Sequence, residues 1–322
     1  MPRTPLAAAA IFGASLISGC RSGRLHDTIA VIPRNTAVAF SVTEHAGAAE
    51  AARKAHVQVY WNGPSSDADV EQQIVLMERA IRGGALGIII DPVSTFASAT
   101  VIYRAAARGI PVVVLGSQIP LTASSDISFV LDDLATTGTL AAARVKVLAQ
   151  AGGEVGLLGV DPMYAGSVER ARAIERAMMA IAPEIHIVAE PAGAFSFDET
   201  ELNAERMIQA HPRLSVIVGV NILSDGAALA AVQAAGASGR IHVIGLDQGT
   251  DLMYLLRTGF LDSLIVQDRR AMAAAAVENI LAQRRGKSVA KTKSFPPMLI
   301  TRDNIDSQTA QDMLRMDWRQ RP

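Results

Sequence analysis

Gly87-Ile88-Ile89-Ile90-Asp91, an alanine-rich stretch from Thr100 to Arg108, and then Pro111-Val112-Val113-Val114-Leu115-Gly116-Ser117 form the passage that decides the fold. The isoleucine and valine runs are apolar without interruption, so both must be covered on two faces; a half-exposed strand would alternate apolar with polar. The stretch between them is amphipathic at the helical period, and Gly109 stands where a helix C-cap is wanted. Strand, helix and strand in that order predict two parallel strands joined by a crossover. The runs stop at Asp91 and at Gly116-Ser117-Gln118. Polar side chains therefore gather at the carboxyl ends of strands, where open α/β sheets bind ligands.

The same rhythm extends in both directions. Upstream, Thr28 to Ile32 and His56 to Trp61 read as strands, and Ser41 to Ala55 and Asp67 to Arg82 as helices. Downstream, Phe129-Val130 is a brief strand, followed by a long helix from Leu134 to Ala151. A second series then begins, with strands at Glu154 to Leu158, Ile185 to Ala189, Val216 to Val220, His242 to Gly245 and Ser263 to Val266. Helical segments separate them, the last ending at Arg284, and Asp67 and Asp198 stand at expected N-caps. Ten strands would overload one sheet, so two sheets of about five are expected. The fold class is α/β: two similar doubly wound parallel-sheet lobes. At 322 residues the chain is long enough for two cores, and 50% hydrophobic with 19% charged residues excludes disorder. A net charge of −1 leaves no basic stripe, so a nucleic-acid partner is not expected.

The N-terminus carries a separate message. Arg3 precedes an apolar run from Leu6 to Ile17, too short to span a bilayer, and the chain's only cysteine closes the segment Leu16-Ile17-Ser18-Gly19-Cys20. This resembles a bacterial lipobox, in which the cysteine takes a diacylglycerol and a peptidase cuts before it. Residues 1–19 are then a signal peptide, Cys20 is lipidated, residues 20–27 are a linker, and the mature chain is periplasmic or on the cell surface, tethered to a membrane. A plain secretory signal or a buried N-terminal helix are the alternatives. With one cysteine, no intrachain disulfide is available.

Catalytic signatures are missing. Gly153, Gly156 and Gly159 imitate a dinucleotide fingerprint but fall within a strand rather than opening a helix. The six histidines show no metal-ligand spacing, and neither a nucleophile elbow nor a Walker loop occurs. No catalytic residue, metal or cofactor is expected, and the chain reads as a binding protein rather than an enzyme.

Several segments, taken in order, resemble the periplasmic binding proteins of the ribose/galactose type, the solute receptors of sugar ABC transporters. They are Ile29-Ala30-Val31-Ile32-Pro33-Arg34 with Phe40 and His45-Ala46-Gly47-Ala48, and Tyr60-Trp61-Asn62-Gly63-Pro64 with Asp69-Val70-Glu71-Gln72-Gln73. Gly109-Ile110-Pro111-Val112-Val113, Glu169-Arg170, Val243-Ile244-Gly245-Leu246-Asp247 and Val266-Gln267 continue the match, which runs from about residue 28 to residue 305. The resemblance implies the type 1 periplasmic binding protein fold, two lobes joined by a three-crossing hinge. Residues 28–132 with 268–294 would form the N-terminal lobe, and residues 133–267 with 295–322 the C-terminal lobe.

It also implies a site. Phe40 matches an aromatic that stacks on a sugar ring; read from the residues alone, it could instead staple the first helix. Arg170 matches an arginine that donates to ring or hydroxyl oxygens, Asn221 and Asp247 match hydroxyl partners, and Gln267 lies at the hinge. Phe195 is a candidate second-lobe aromatic, and Ser117 is the polar group after the fourth strand. Asp132 and Asp133 read as a hinge and N-cap pair, and Asp247 as an acid without an adjacent cation. Two departures stand out: Ser41 replaces a second aromatic, and Gly116 replaces a carboxylate. The expected ligand is a small, neutral, polyhydroxylated sugar or polyol, held by a monomer and passed to ABC permease subunits. A sensory partner of a histidine kinase or chemoreceptor with the same fold is the alternative. A sugar-responsive repressor would need a DNA-binding headpiece where this chain has an export signal.

Overall fold

A computed structural model describes residues 25–149, 152–191 and 196–315. The first lobe is built from β1 (Thr28–Ile32), α1 (Ala39–Lys54), β2 (Gln58–Trp61), α2 (Val70–Arg82), β3 (Gly87–Ile90), α3 (Ala97–Ala107), β4 (Val112–Gly116) and β5 (Ile127–Asp132). The second contains α4 (Leu134–Leu148), β6 (Glu154–Val160), α5 (Ser167–Ile181), β7 (His186–Pro191), α6 (Phe197–Ala210) and β8 (Leu214–Gly219). It continues through α7 (Ile222–Ala234), β9 (His242–Gly245), α8 (Thr250–Thr258) and β10 (Ser263–Val266). The chain then returns through α9 (Arg269–Arg284) and β11 (Thr292–Phe295) before ending in β12 (Met298–Thr301) and α10 (Gln308–Leu314).

Two six-stranded sheets result, ordered β11-β5-β4-β3-β1-β2 and β12-β10-β9-β8-β6-β7. All pairs are parallel except β10 with β12. Alternation along β1 shows why such strands are apolar throughout: Ile29 and Val31 pack against α1 and α9, whereas Ala30 and Ile32 pack against α2 and α3. The second sheet is covered in the same way by α4 and α5 on one face and by α6, α7, α8 and α10 on the other. The two-lobed, doubly wound reading therefore agrees with the structure. No helix among the described residues is long and apolar enough to cross a membrane.

Some expectations need correction. Asp67 does not cap α2; Asp69 does, accepting from the Gln72 amide at 3.0 Å. Ser196, rather than Asp198, caps α6. The strand expected at Phe129-Val130 runs the full length of β5, and β11 and β12 add a sixth strand to each sheet. The chain crosses between the sheets after Asp132, after Val266, and between Phe295 and Met298. Two of these crossings are stitched together by the Asp133 amide donating to the Phe295 carbonyl at 2.8 Å. Cys20, residues 1–19 and Phe195 lie outside the described residues.

Candidate ligand-binding cleft

In the first sheet the strand order reverses beside β1 and β3, and the carboxyl ends of these strands carry Arg34 and Asp91. Arg34 Nη2 donates to Asp91 Oδ1 at 3.2 Å, to the Pro92 carbonyl at 3.1 Å and to Ser117 Oγ at 3.3 Å. Burial alone would weaken the Arg34 charge, but Asp91 leads a set of neighbours that hold its pKa above the ordinary arginine value. Tyr164, from the second lobe, places its ring 4.9 Å from this guanidinium and donates its hydroxyl to Asp67.

A second cluster sits at the hinge. Arg170, in the first turn of α5, donates from Nη2 to Asp132 at 2.9 Å and from Nη1 to the Val220 carbonyl at 2.9 Å. The same Nη1 lies 3.4 Å from Asp247 Oδ2. Arg269 opens α9 and joins the two clusters. Its Nη2 is 3.5 Å from both Asp132 and Asp247, and its Nη1 is 3.5 Å from Glu44 and 3.9 Å from Asp91. Asp247 has no cation beside it in sequence and needs a partner once buried; two arginines face it, 77 and 22 residues away in sequence.

The remaining candidates are placed as follows. Phe40 is buried, and the Arg269 guanidinium lies over its ring at 5.3 Å, on an aromatic face expected to meet a sugar. Asn221 is the N-cap of α7: its Oδ1 accepts from the Ser224 amide at 2.9 Å, and Nδ2 reaches the Gly159 carbonyl at 3.4 Å. Gln267 is buried at the crossing and donates to Thr137 Oγ1 at 3.3 Å. Asp133 caps α4, whereas Asp132 faces the arginines. Ser41 is buried in α1.

Gly116 has φ +79°, and a Cβ there would stand 2.5 Å from Arg269 Nη1 and 3.2 Å from Asp91 Oδ1. The volume of the missing side chain is thus claimed by Arg269, and acid is supplied from β3 and α1 instead. Glu44 and Arg269 escaped the reading of the sequence, and Arg34 and Asp91 were read only as strand-end polar groups, without a site role. Position at a strand end signalled Arg34 and Asp91, but Glu44 stands within a helical run and Arg269 at a helix start between Asp268 and Arg270, and neither carried a local signal.

The lobes touch directly. The Thr95 amide donates to the Met163 carbonyl at 3.1 Å and the Ala165 amide to the Val93 carbonyl at 2.9 Å, forming an isolated bridge around Ser94 and Tyr164. Gln248 Nε2 donates to Thr43 Oγ1 at 3.1 Å. Gly166, with φ +84°, lets the second lobe approach Ser117, since a Cβ there would be 2.5 Å from Ser117 Oγ.

Two parallel-sheet lobes, a triple crossing and a polar cleft at the strand ends define a hinge-bound receptor. The chain belongs to the periplasmic binding protein domain family, whose model matches residues 29–288. It is 27% identical over 242 residues to the D-ribose/D-allose-binding protein of Pseudomonas aeruginosa, covering 72% of this chain and 74% of that protein. It is also 27% identical over 241 residues to the ribose import binding protein of Bacillus subtilis, again covering 72% and 74%. Among solved structures, an ABC transporter solute-binding protein of Agrobacterium vitis with bound D-fucose superposes with a TM-score of 0.79 at 25% identity, covering 88% of this chain and 99% of that one. Another from the same species, bound with α-D-tagatopyranose, gives 0.83 at 22% identity, with 90% and 99% covered.

Proposed function

We propose that this chain is an extracytoplasmic solute-binding protein that captures a small sugar or polyol between its lobes and delivers it to the permease of an ABC transporter. The observation that carries the reading is the cleft itself. Strand ends from both lobes converge on the crossing strands with buried guanidinium, carboxylate and amide groups, suited to replacing water around several hydroxyls. The names of the relatives, which bind ribose and allose, support the same class of ligand. In this reading Arg170 and Asp247 meet the ligand from the second lobe, and Ser117 and Phe40 meet it from the first. Phe40 can offer its ring only when Arg269 moves aside or stacks together with the ligand. Asn221 and Gln267 hold the site's backbone in place and add polar contacts. Lobe closure removes water, so a ligand lacking one paired hydroxyl leaves a buried group unmatched, at a cost of about 1–3 kcal/mol. The lipobox adds a tether: Cys20 carries the lipid that keeps the receptor beside its transporter, and Cys20→Ser releases the protein from membranes.

The test is a thermal-shift screen of the fragment beginning at Ser22 against sugars and polyols. A ligand at roughly 1,000 times its Kd stabilises by about 4 kcal/mol, several degrees for a chain of this size. One chemotype giving that shift, and losing it in Asp247→Ala, supports the reading. Wild-type affinity retained in Asp247→Ala removes Asp247 from the site.

A further inference from the structure

The charges of the cleft do not cancel when every group is ionised. It holds three guanidiniums, Arg34, Arg170 and Arg269, and four carboxyl groups, Glu44, Asp91, Asp132 and Asp247. Each of the three aspartates has at least one hydrogen-bonded arginine. Glu44 has none: it is fully buried, neither oxygen accepts a hydrogen bond among the described residues, and its nearest cation, Arg269, is shared with the three aspartates. Further acceptors of the cleft and hinge are unmatched, namely Asp91 Oδ2, Asp132 Oδ1 and Gln267 Oε1. With the two Glu44 oxygens these make five unmatched acceptors, against three unmatched N–H donors, Arg34 Nε and Arg269 Nε and Nη1. A buried carboxyl group without partners is costly whether it is ionised or neutral.

From this imbalance we infer that the ligand is a polyol bearing an amino group, an amino sugar or an aminocyclitol, whose ammonium is set against Glu44. The inference rests on the reading of the cleft as a sugar or polyol site and narrows it. An ammonium supplies the positive charge that an ionised Glu44 lacks and three N–H donors at one point, whereas a hydroxyl supplies one donor and no charge. The surroundings already accept a cation, since the Arg269 guanidinium lies on the Phe40 ring one helical turn from Glu44. Burial, and then Asp91, push the Glu44 carboxyl well above the ordinary glutamate range against the opposing pull of Arg269 and Arg34, with Asp247 adding to the rise. An ammonium brought beside it reverses that balance and draws Glu44 into its charged form.

The test compares matched pairs by isothermal calorimetry on the fragment from Ser22: glucosamine with glucose, galactosamine with galactose, and an aminocyclitol with its parent cyclitol. At least one amine binds at least about tenfold tighter than its parent. In Glu44→Gln, which keeps the shape and removes the charge, that ratio falls to near one; in Glu44→Asp, which keeps the charge, a preference survives. Thermal melting of each variant without ligand shows that it is folded. A parent sugar that binds as well as its amine overturns the inference and leaves the proposed function standing, as does an amine preference that persists in Glu44→Gln. Failure of every member of every pair to bind also overturns the inference, and the proposed function is then judged by the thermal-shift screen alone.

Discussion

Arg170→Met is the sharpest test of the buried ion cluster. The arginine is 2% exposed, and its replacement removes two hydrogen bonds of 2.9 Å, to Asp132 and to the Val220 carbonyl, together with the 3.4 Å contact to Asp247. Methionine fills much of the volume, so the loss is electrostatic. Asp132 and Asp247 are then left with Arg269 alone, 3.5 Å from each and already shared with Glu44 and Asp91. Breaking a buried pair from one side costs about 3–5 kcal/mol, because a desolvated charge is left uncompensated. For a chain of this size that corresponds to a fall in Tm of roughly 4–7 °C. Removing the orphaned acid as well, in Arg170→Met with Asp132→Asn, returns a large part of the loss, because the penalty lies in the unpaired carboxylate. Calorimetric melts of the wild type, both single variants and the double variant close the cycle. A single variant within about 1 kcal/mol of wild type, or a double variant as unstable as the sum of the singles, refutes the argument.

Three further expectations follow from particular contacts. Tyr164→Phe removes the hydroxyl that bridges to Asp67 across the lobes; it lowers ligand affinity about tenfold, the scale of a hydrogen bond to a charged group, and leaves the unfolding of each lobe nearly unchanged. A matched loss of stability and affinity would show that the contact is not specific to the closed form. Gly166→Ala adds a left-handed-backbone penalty of roughly 1–2 kcal/mol and a Cβ 2.5 Å from Ser117 Oγ, so affinity falls more than stability does, and Ser117→Ala in the same chain restores part of the affinity. Asp225→Asn changes the pH dependence. Burial, and secondarily Asp247, hold the Asp225 carboxyl well above its ordinary value, so the folded chain keeps a proton that the unfolded chain releases near pH 4. Wild-type stability therefore falls as pH rises from there toward the folded pKa. The asparagine variant lacks this slope and gains on wild type toward neutral pH in urea unfolding, and parallel curves for the two proteins would contradict the assignment.

The strands were legible because each central one is buried on both faces, which demands an unbroken apolar run such as Ile88 to Ile90. The same logic explains what was missed. Thr292–Phe295 forms a sheet edge, with Thr292, Lys293 and Ser294 exposed, so β11 has no apolar signature. Helix starts were misjudged where a second acid or serine stood nearby: Asp67 and Asp69 are equivalent in sequence, but only one accepts from the helix while the other meets Tyr164 across the cleft. The ion cluster was the least legible part. Arg34 and Asp91 are 57 residues apart, and Arg170 and Asp132 are 38 apart; the topology joins them, and no local spacing records it. Arg269 and Arg270 are adjacent and alike, yet the first points into the cleft and the second pairs with Glu50 on the outside.

The interlobe ion pairs also bear on how such a receptor stays responsive. Arg170 with Asp132, and Arg269 with Asp247, join groups from opposite sheets or from the crossings between them, so opening the cleft exchanges pairing for hydration. For buried ion pairs these two terms nearly cancel. An apolar interface of the same extent would hold the lobes shut and leave the ligand little to decide. Contacts that are geometrically demanding but close to neutral in net energy instead keep the open and closed forms within a few kcal/mol of each other. In that range the ligand's own differential affinity moves the population, and roughly 5.5 kcal/mol of it carries the protein from almost wholly open to almost wholly closed. On this view the arginines are there for balance as much as for recognition. Replacing the Arg269–Asp247 pair with two apolar residues of similar volume should leave the lobes stable but closed without ligand, with a radius of gyration by X-ray scattering that no longer responds to sugar. A pair variant that still opens and closes would show that the lobes are poised by the hinge strands rather than by the charges.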